Sequence, residues 1–159
     1  MRLGGAGLQR DGRPLDTDRF FIVCSNMLGS SFGTTGPNTT NPATGRPWGP
    51  DFPAITLEDI VAVQHRLLQQ LGVRHLRAVV GPSYGGWQAL QWALSHPEMV
   101  DAAGVLMSGL THPKGLSAES TRQRFADHPA WNGGWHYGDP RMKEMLMDLR
   151  LQTLRSYGL

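Results

Sequence analysis

Residues 81 to 85 read Gly81-Pro82-Ser83-Tyr84-Gly85, the spacing Gly-x-Ser-x-Gly. A serine hydroxyl is a poor nucleophile at neutral pH. Covalent chemistry therefore needs it projected beside a base, with amide donors aimed where negative charge develops. A sharp strand-to-helix turn meets part of that need: the serine sits at the strand's carboxyl end, and small residues on either side let strand and helix pack closely. Gly81 and Gly85 fill those small positions, and Gly86 follows. A helix starting at Tyr84 would point its positive end and free amides at the site, which makes the Tyr84 backbone amide a candidate oxyanion donor. A phosphate-binding reading is weaker, because the stretch lacks the Lys-Ser/Thr ending of a P-loop and does not fit Gly-x-Gly-x-x-Gly.

The flanking residues supply the elements such a turn requires. Leu76 to Val80 is a short apolar run before it, and Trp87, Ala89, Leu90, Trp92, Ala93 and Leu94 mark a buried helix after it, stopping at Pro97. Trp87 and Trp92 read as core packing on that helix. Ala102 to Leu110 is a further apolar run. Upstream, Phe20-Phe21-Ile22-Val23-Cys24 has the pattern of a strand buried on both faces. Thr56, with Asp59 three residues on, predicts a capped helix that carries Leu57, Ile60, Val61, Leu67, Leu68 and Leu71 and stops near Gly72. Strand, helix, strand, helix, strand predicts an α/β fold, a parallel sheet with right-handed crossover helices. The long Gly-, Pro- and Asn-rich connection over 27–53 predicts a constrained loop. Beyond Thr111, Trp131-Asn132-Gly133-Gly134-Trp135 reads as an aromatic turn, and Met142, Met145, Leu146 and Leu149 stripe a helix beginning near Pro140.

At 159 residues the chain fits one domain. The net charge of +2 is small and its cationic residues are scattered, so no footprint for nucleic acid or an anionic membrane appears. Cys24 is the one cysteine, which excludes an internal disulfide and a thiolate metal cluster and fits the cytoplasm. No segment has the length of a signal peptide's apolar core or a membrane helix. The methionines at 142, 145 and 147 follow a helical stripe and need no metal. Arg122 and Arg124 fit a solvated helix face better than a grip on an anionic substrate.

The stretch LDTDRFFIVCSNMLGSSFGTTGPNTTNPATGRPWGPDFPAITLEDIV, followed by GVRHLRAVVGPSYGGWQALQWALSHPEMVDA, resembles the homoserine O-acetyltransferase family of the α/β-hydrolase superfamily. The resemblance runs from about Pro14 to Val105 and more loosely through RQRFADHPAWNGG. It implies a partial α/β-hydrolase fold: an irregular lead-in over 1–14, a core over 15–111 and the start of a helical lid over 112–159. It also implies a ping-pong reaction in which Ser83 takes an acyl group from acetyl-CoA or another acyl-CoA and passes it to a hydroxyl. Donor and acceptor would then be small molecules, no cofactor would stay bound, and the full-length family suggests a homodimer. Asn26, Leu28 and Gly29, where a loop leaves a strand's carboxyl edge, are candidate pocket residues or turn residues.

One departure touches the reaction. The acetyltransferases usually read Gly-Gly-Ser-Met-Gly-Gly at this turn, whereas Pro82 and Tyr84 resemble the family's hydrolase-like branch, an esterase alternative. The family's triad acid and histidine lie beyond the point where this sequence stops. Its first oxyanion donor belongs to a strand before Phe20, which neighbours both the Phe20 and Val79 strands. Both ends therefore read as truncated, and an inactive fragment is a second alternative. Among local histidines, His112 is the least implausible substitute base, because it follows the third apolar run at the Ser83 edge of the sheet. His96 ends the next helix, about 18 Å from the nucleophile at 1.5 Å per residue, and reads as a surface residue. His128 and His136 flank the tryptophan turn and read as lid or surface residues, on the tendency of loop histidines to be solvated, and His65 and His75 read as structural.

Overall fold

The computed structural model describes residues 15–109, 118–156 and 158. Its centre is a strand–helix–strand unit, β1 (Val79–Pro82), α2 (Tyr84–Ser95) and β2 (Ala103–Leu106), preceded by α1 (Leu57–Gln70). The strands pair in parallel with Val79 opposite Ala103 and Pro82 opposite Leu106, and a bridge from Leu76 to Val100 extends the pairing backwards. Parallel neighbours need a crossover, and α2 provides it. The core forms where α1 and α2 meet one face of the sheet: Val61, Leu68 and Trp92, 3% exposed, pack with Val73, Leu76, Val79 and Val100. On the other face Val80 and Leu106 are exposed.

α1 starts as its sequence predicts. The Thr56 hydroxyl accepts from the Asp59 amide at 3.2 Å, and the Asp59 carboxylate accepts from the Thr56 amide at 3.0 Å. Both bonds satisfy amides that a helix start leaves orphaned. Thr56→Ala removes the hydroxyl's part of this box and is expected to cost about 1 kcal/mol, measured as a lower midpoint of chemical unfolding.

The apolar run at 20–24 departs from expectation. It forms no strand, and Phe20, Phe21 and Val23 are exposed, Phe21 at 75%. A strand exists only when its amides and carbonyls find a neighbour, and the sheet among the described residues holds β1 and β2 alone. The chain before β1 follows the same rule: Leu76 makes only a bridge, and pairing becomes continuous at Val79.

The long loop is ordered by its own backbone. Gly29 donates to Thr35 at 2.8 Å, Asn41 to Arg46 at 2.8 Å and Gly49 to Pro37 at 2.8 Å. The aromatic turn, a 3₁₀ segment over Pro129–Gly134, docks onto it. A Cβ at Gly49 would lie 2.9 Å from the Trp135 ring, the Arg46 guanidinium sits 5.2 Å from the centre of that ring, and the Tyr137 hydroxyl donates to the Pro37 carbonyl at 2.9 Å.

Two further helices, α3 (Ala118–Ala126) and α4 (Arg141–Ser156), complete the described chain. The methionine stripe finds its partner in the aromatic turn: Met142 and Met145 are buried with Ala130, against Phe125, Trp131 and Leu149. Leu146, expected on the stripe, is exposed. α4 begins at Arg141, whose amide donates to the Asp139 carboxylate at 3.0 Å. The Arg141 side chain and amide hold the Asp139 carboxyl down at about 2. A depressed carboxyl stabilises the fold above its unfolded value near 4 and loses that contribution as pH falls through the folded value. The start of α4 should therefore be unchanged from neutral pH to about 4 and weaken as pH falls to about 2, an ordering lost in Asp139→Asn and readable in the pH dependence of the Arg141 and Met142 amide resonances.

Candidate active site

β1 carries the chain to the sheet edge, where the Ser83 amide still donates to the Leu106 carbonyl at 2.9 Å. The backbone then reverses at Ser83 with φ 51° and ψ −120°, and α2 starts at the next residue. A non-glycine residue rarely adopts a positive φ, at a cost of about 1–3 kcal/mol, and it persists only where the surroundings enforce it. Here the enforcing contact is Gly81, buried against the first turn of α2: a Cβ there would lie 2.3 Å from the carbonyl carbon and oxygen of Gly85. The second tight contact falls at Gly86, where a Cβ would lie 2.1 Å from the Ser108 hydroxyl. Gly85 itself has room, with only the Pro82 ring at 3.5 Å from a Cβ. Its backbone is what Gly81 approaches.

The result is an exposed serine at the head of a twelve-residue helix. The Tyr84 amide, in the first turn, has no intrahelical acceptor and is available to an oxyanion. Across the sheet edge Met107 occupies the next register position from Ser83, also at φ 51° and 86% exposed. Ser108 follows, its hydroxyl 2.5 Å from the Ser83 carbonyl. Sequence reading missed Met107 and Ser108 because Ala102 to Leu110 reads as one strand; a polar serine breaking that run was the available signal.

Two of the three candidate pocket residues line a groove beside α1. Asn26 and Leu28 line a groove of about 460 Å³ with Ile60, Val63 and Leu67 of α1, and Ser83 is not in its lining. Gly29, at φ 83°, faces Phe52 and Ile55. The loop reaches α2 through Met27 instead, whose sulfur accepts from Gln88 Nε2 at 3.4 Å. Gln88 in turn accepts from Gln64, and Gln64 from the Trp92 indole, both at 2.7 Å.

Among the described residues no side chain hydrogen-bonds the Ser83 hydroxyl, so none of them is placed as its base. His96 caps the far end of α2 and is packed rather than surface-lying, its ring 4.1 Å from that of His65 and 5.1 Å from Trp92. An aromatic face was available to it where a solvated position was expected. His75 shares Asp101 with Arg77, at 2.7 and 2.8 Å, and these hydrogen bonds, that from His75 foremost, lower the Asp101 carboxyl below the usual range. His128 Nδ1 accepts from the Ala130 amide at 3.2 Å. His136 is not solvated as expected: it stacks between Trp131 and Tyr137, with Nδ1 buried. His112 lies outside the described residues.

Comparison with known proteins places this geometry. Residues 3–157 match the model of the alpha/beta hydrolase fold family. A homoserine O-acetyltransferase of Carboxydothermus hydrogenoformans is 44% identical over 148 residues, which cover 92% of this chain and 39% of that protein. The crystal structure of a homoserine O-acetyltransferase from Bacillus anthracis superposes with a TM-score of 0.83 at 30% identity, over 93% of this chain and 42% of that one. Esterase E22 superposes at 0.70 and 34% identity, over 80% and 37%. The chain thus spans about two fifths of the length of the relatives it matches. With nearly its whole length matched, it belongs to the α/β-hydrolase fold family and, within that, to the homoserine O-acetyltransferase family.

Proposed function

We propose that Ser83 is the nucleophile of an acyl transfer, taking an acyl group from an acyl-CoA and passing it to the hydroxyl of homoserine or a similar small alcohol. The observation that carries the reading is the φ of 51° at Ser83, strain held at the head of α2 beside the first-turn Tyr84 amide. In the first half-reaction the Ser83 oxygen bonds to the thioester carbonyl carbon, the carbon–sulfur bond breaks, and the thiol leaves with a proton. The Tyr84 amide would steady the oxyanion between these events. In the second, the acceptor oxygen bonds to the acyl carbon, the bond from that carbon to the Ser83 oxygen breaks, and the proton the acceptor loses returns to Ser83. The base that moves these protons lies outside the described residues, and residues 112–159 act as part of a lid.

Hydrolysis is the second reading. It is favoured by the likeness to esterase E22 and by Pro82 and Tyr84 at the turn. Both reactions share the acyl-enzyme and differ in whether an alcohol or water attacks it. Following loss of the acetyl group from Ser83 of the acetylated chain with and without L-homoserine separates them. Transfer gives acetylhomoserine and a rate that rises with homoserine; an unchanged rate with free acetate as the product would favour hydrolysis.

A further inference from the structure

Ser108 touches the nucleophile's own backbone. β2 ends at Leu106, the chain turns at Met107, and the Ser108 hydroxyl arrives 2.5 Å from the Ser83 carbonyl oxygen and 3.0 Å from that of Leu106. A hydroxyl has one hydrogen, and the shorter contact takes it. The Gly86 amide donates to the same Ser83 oxygen at 2.9 Å, so both lone pairs of that carbonyl are engaged. The space for Ser108 exists because residue 86 has no side chain: a Cβ there would lie 2.1 Å from the hydroxyl.

The Ser83 carbonyl and the Tyr84 N–H are two ends of one planar trans peptide, pointing in opposite directions. Anchoring the oxygen therefore aims the N–H. A hydrogen bond to the oxygen also draws charge from the amide and makes its N–H a stronger donor. We propose that Ser108 is a positioning residue that, by holding the Ser83 carbonyl, aims and strengthens the Tyr84 amide as the oxyanion donor. The proposal rests on Ser83 being the nucleophile. Ser108 itself touches no reacting atom. It acts from the turn just past the end of the neighbouring strand β2, which ties the donor's direction to the β1–β2 pairing.

The test uses the 159-residue chain labelled with ¹³C and ¹⁵N, unmodified and as Ser108→Ala and Ser108→Cys. Ser108→Ala should move the Ser83 carbonyl and Tyr84 amide resonances while distant amides stay in place, and Ser108→Cys, a weaker donor, should return them part of the way. Fluorophosphonate labelling of Ser83 should slow about tenfold in Ser108→Ala, less than the loss from deleting a donor outright, and recover partly in Ser108→Cys. If Ser108→Ala unfolds, the comparison of Ser108→Cys with the unmodified chain decides by the same two resonances. Resonances that stay put in a folded variant would overturn the proposal, as would resonances that move with no change in labelling rate. An unmodified chain that never labels, with resonances responding as described, would leave the hold on the peptide standing and overturn the nucleophile reading alone.

Discussion

Ser83→Ala is expected to abolish covalent labelling by a fluorophosphonate, while the unmodified chain labels slowly and at one site. Slow labelling follows from the surroundings of the hydroxyl. The turn and the Tyr84 amide are in place, but no described residue stands as a base. In serine hydrolases that lose a triad member, binding and the oxyanion hole alone retain roughly 10³-fold over water. One stoichiometric acylation fits that residue of catalysis; sustained esterase turnover does not, and little is expected from this chain. Ser83→Gly should be equally unreactive but more stable than the parent by about 1 kcal/mol, because glycine adopts a positive φ without strain. An unreactive yet more stable variant would mark the turn as strained for chemistry rather than for folding. Equal stability of Ser83→Gly and the parent would remove the strain from the explanation.

Gly81→Ala should be the most disruptive single-methyl change near the site. Its Cβ would meet the Gly85 carbonyl group at 2.3 Å and the Gly85 Cα at 2.7 Å, all backbone atoms that cannot rotate away. Relief requires β1 and the first turn of α2 to separate, with an expected loss of about 3 kcal/mol. Gly85→Ala is the control within the same motif. Its Cβ meets only the Pro82 ring at 3.5 Å, an ordinary contact, and alanine favours the helix, so a gain of about 0.5 kcal/mol is expected. Denaturant unfolding of the pair reads the difference directly. Equal losses in the two variants would contradict the assignment of the close approach to Gly81.

What was legible in the sequence was what short stretches decide for themselves. The capping box at Thr56 and Asp59 involves residues three apart, and the strand, turn and helix around Ser83 follow one another without a break, so pattern and structure agree. Phe20 to Cys24 shows the converse. Its composition suits a strand, but strand formation depends on a neighbour distant in sequence, and the run stays exposed without one. The same limit hid Ser108. Its contact with Ser83 spans 25 residues and exists only because β1 and β2 pair in one register. Gly85 was read as a tight-packing position from motif spacing alone, yet the contact falls on its backbone, and Gly86, like Gly81, has no room for a side chain. His65 lies in α1 and His96 just past the end of α2, so their stacking was equally out of reach of spacing rules.

The central proposal is that Ser83 carries the acyl group, and the most direct test is the mass of the protein itself. The chain is incubated with acetyl-CoA, quenched in acid, weighed intact and mapped by peptide fragmentation. The prediction is a single added acetyl group on the peptide containing Ser83, absent from Ser83→Ala. Acetylation confined to other residues, or equal acetylation of the chain and Ser83→Ala, would contradict it.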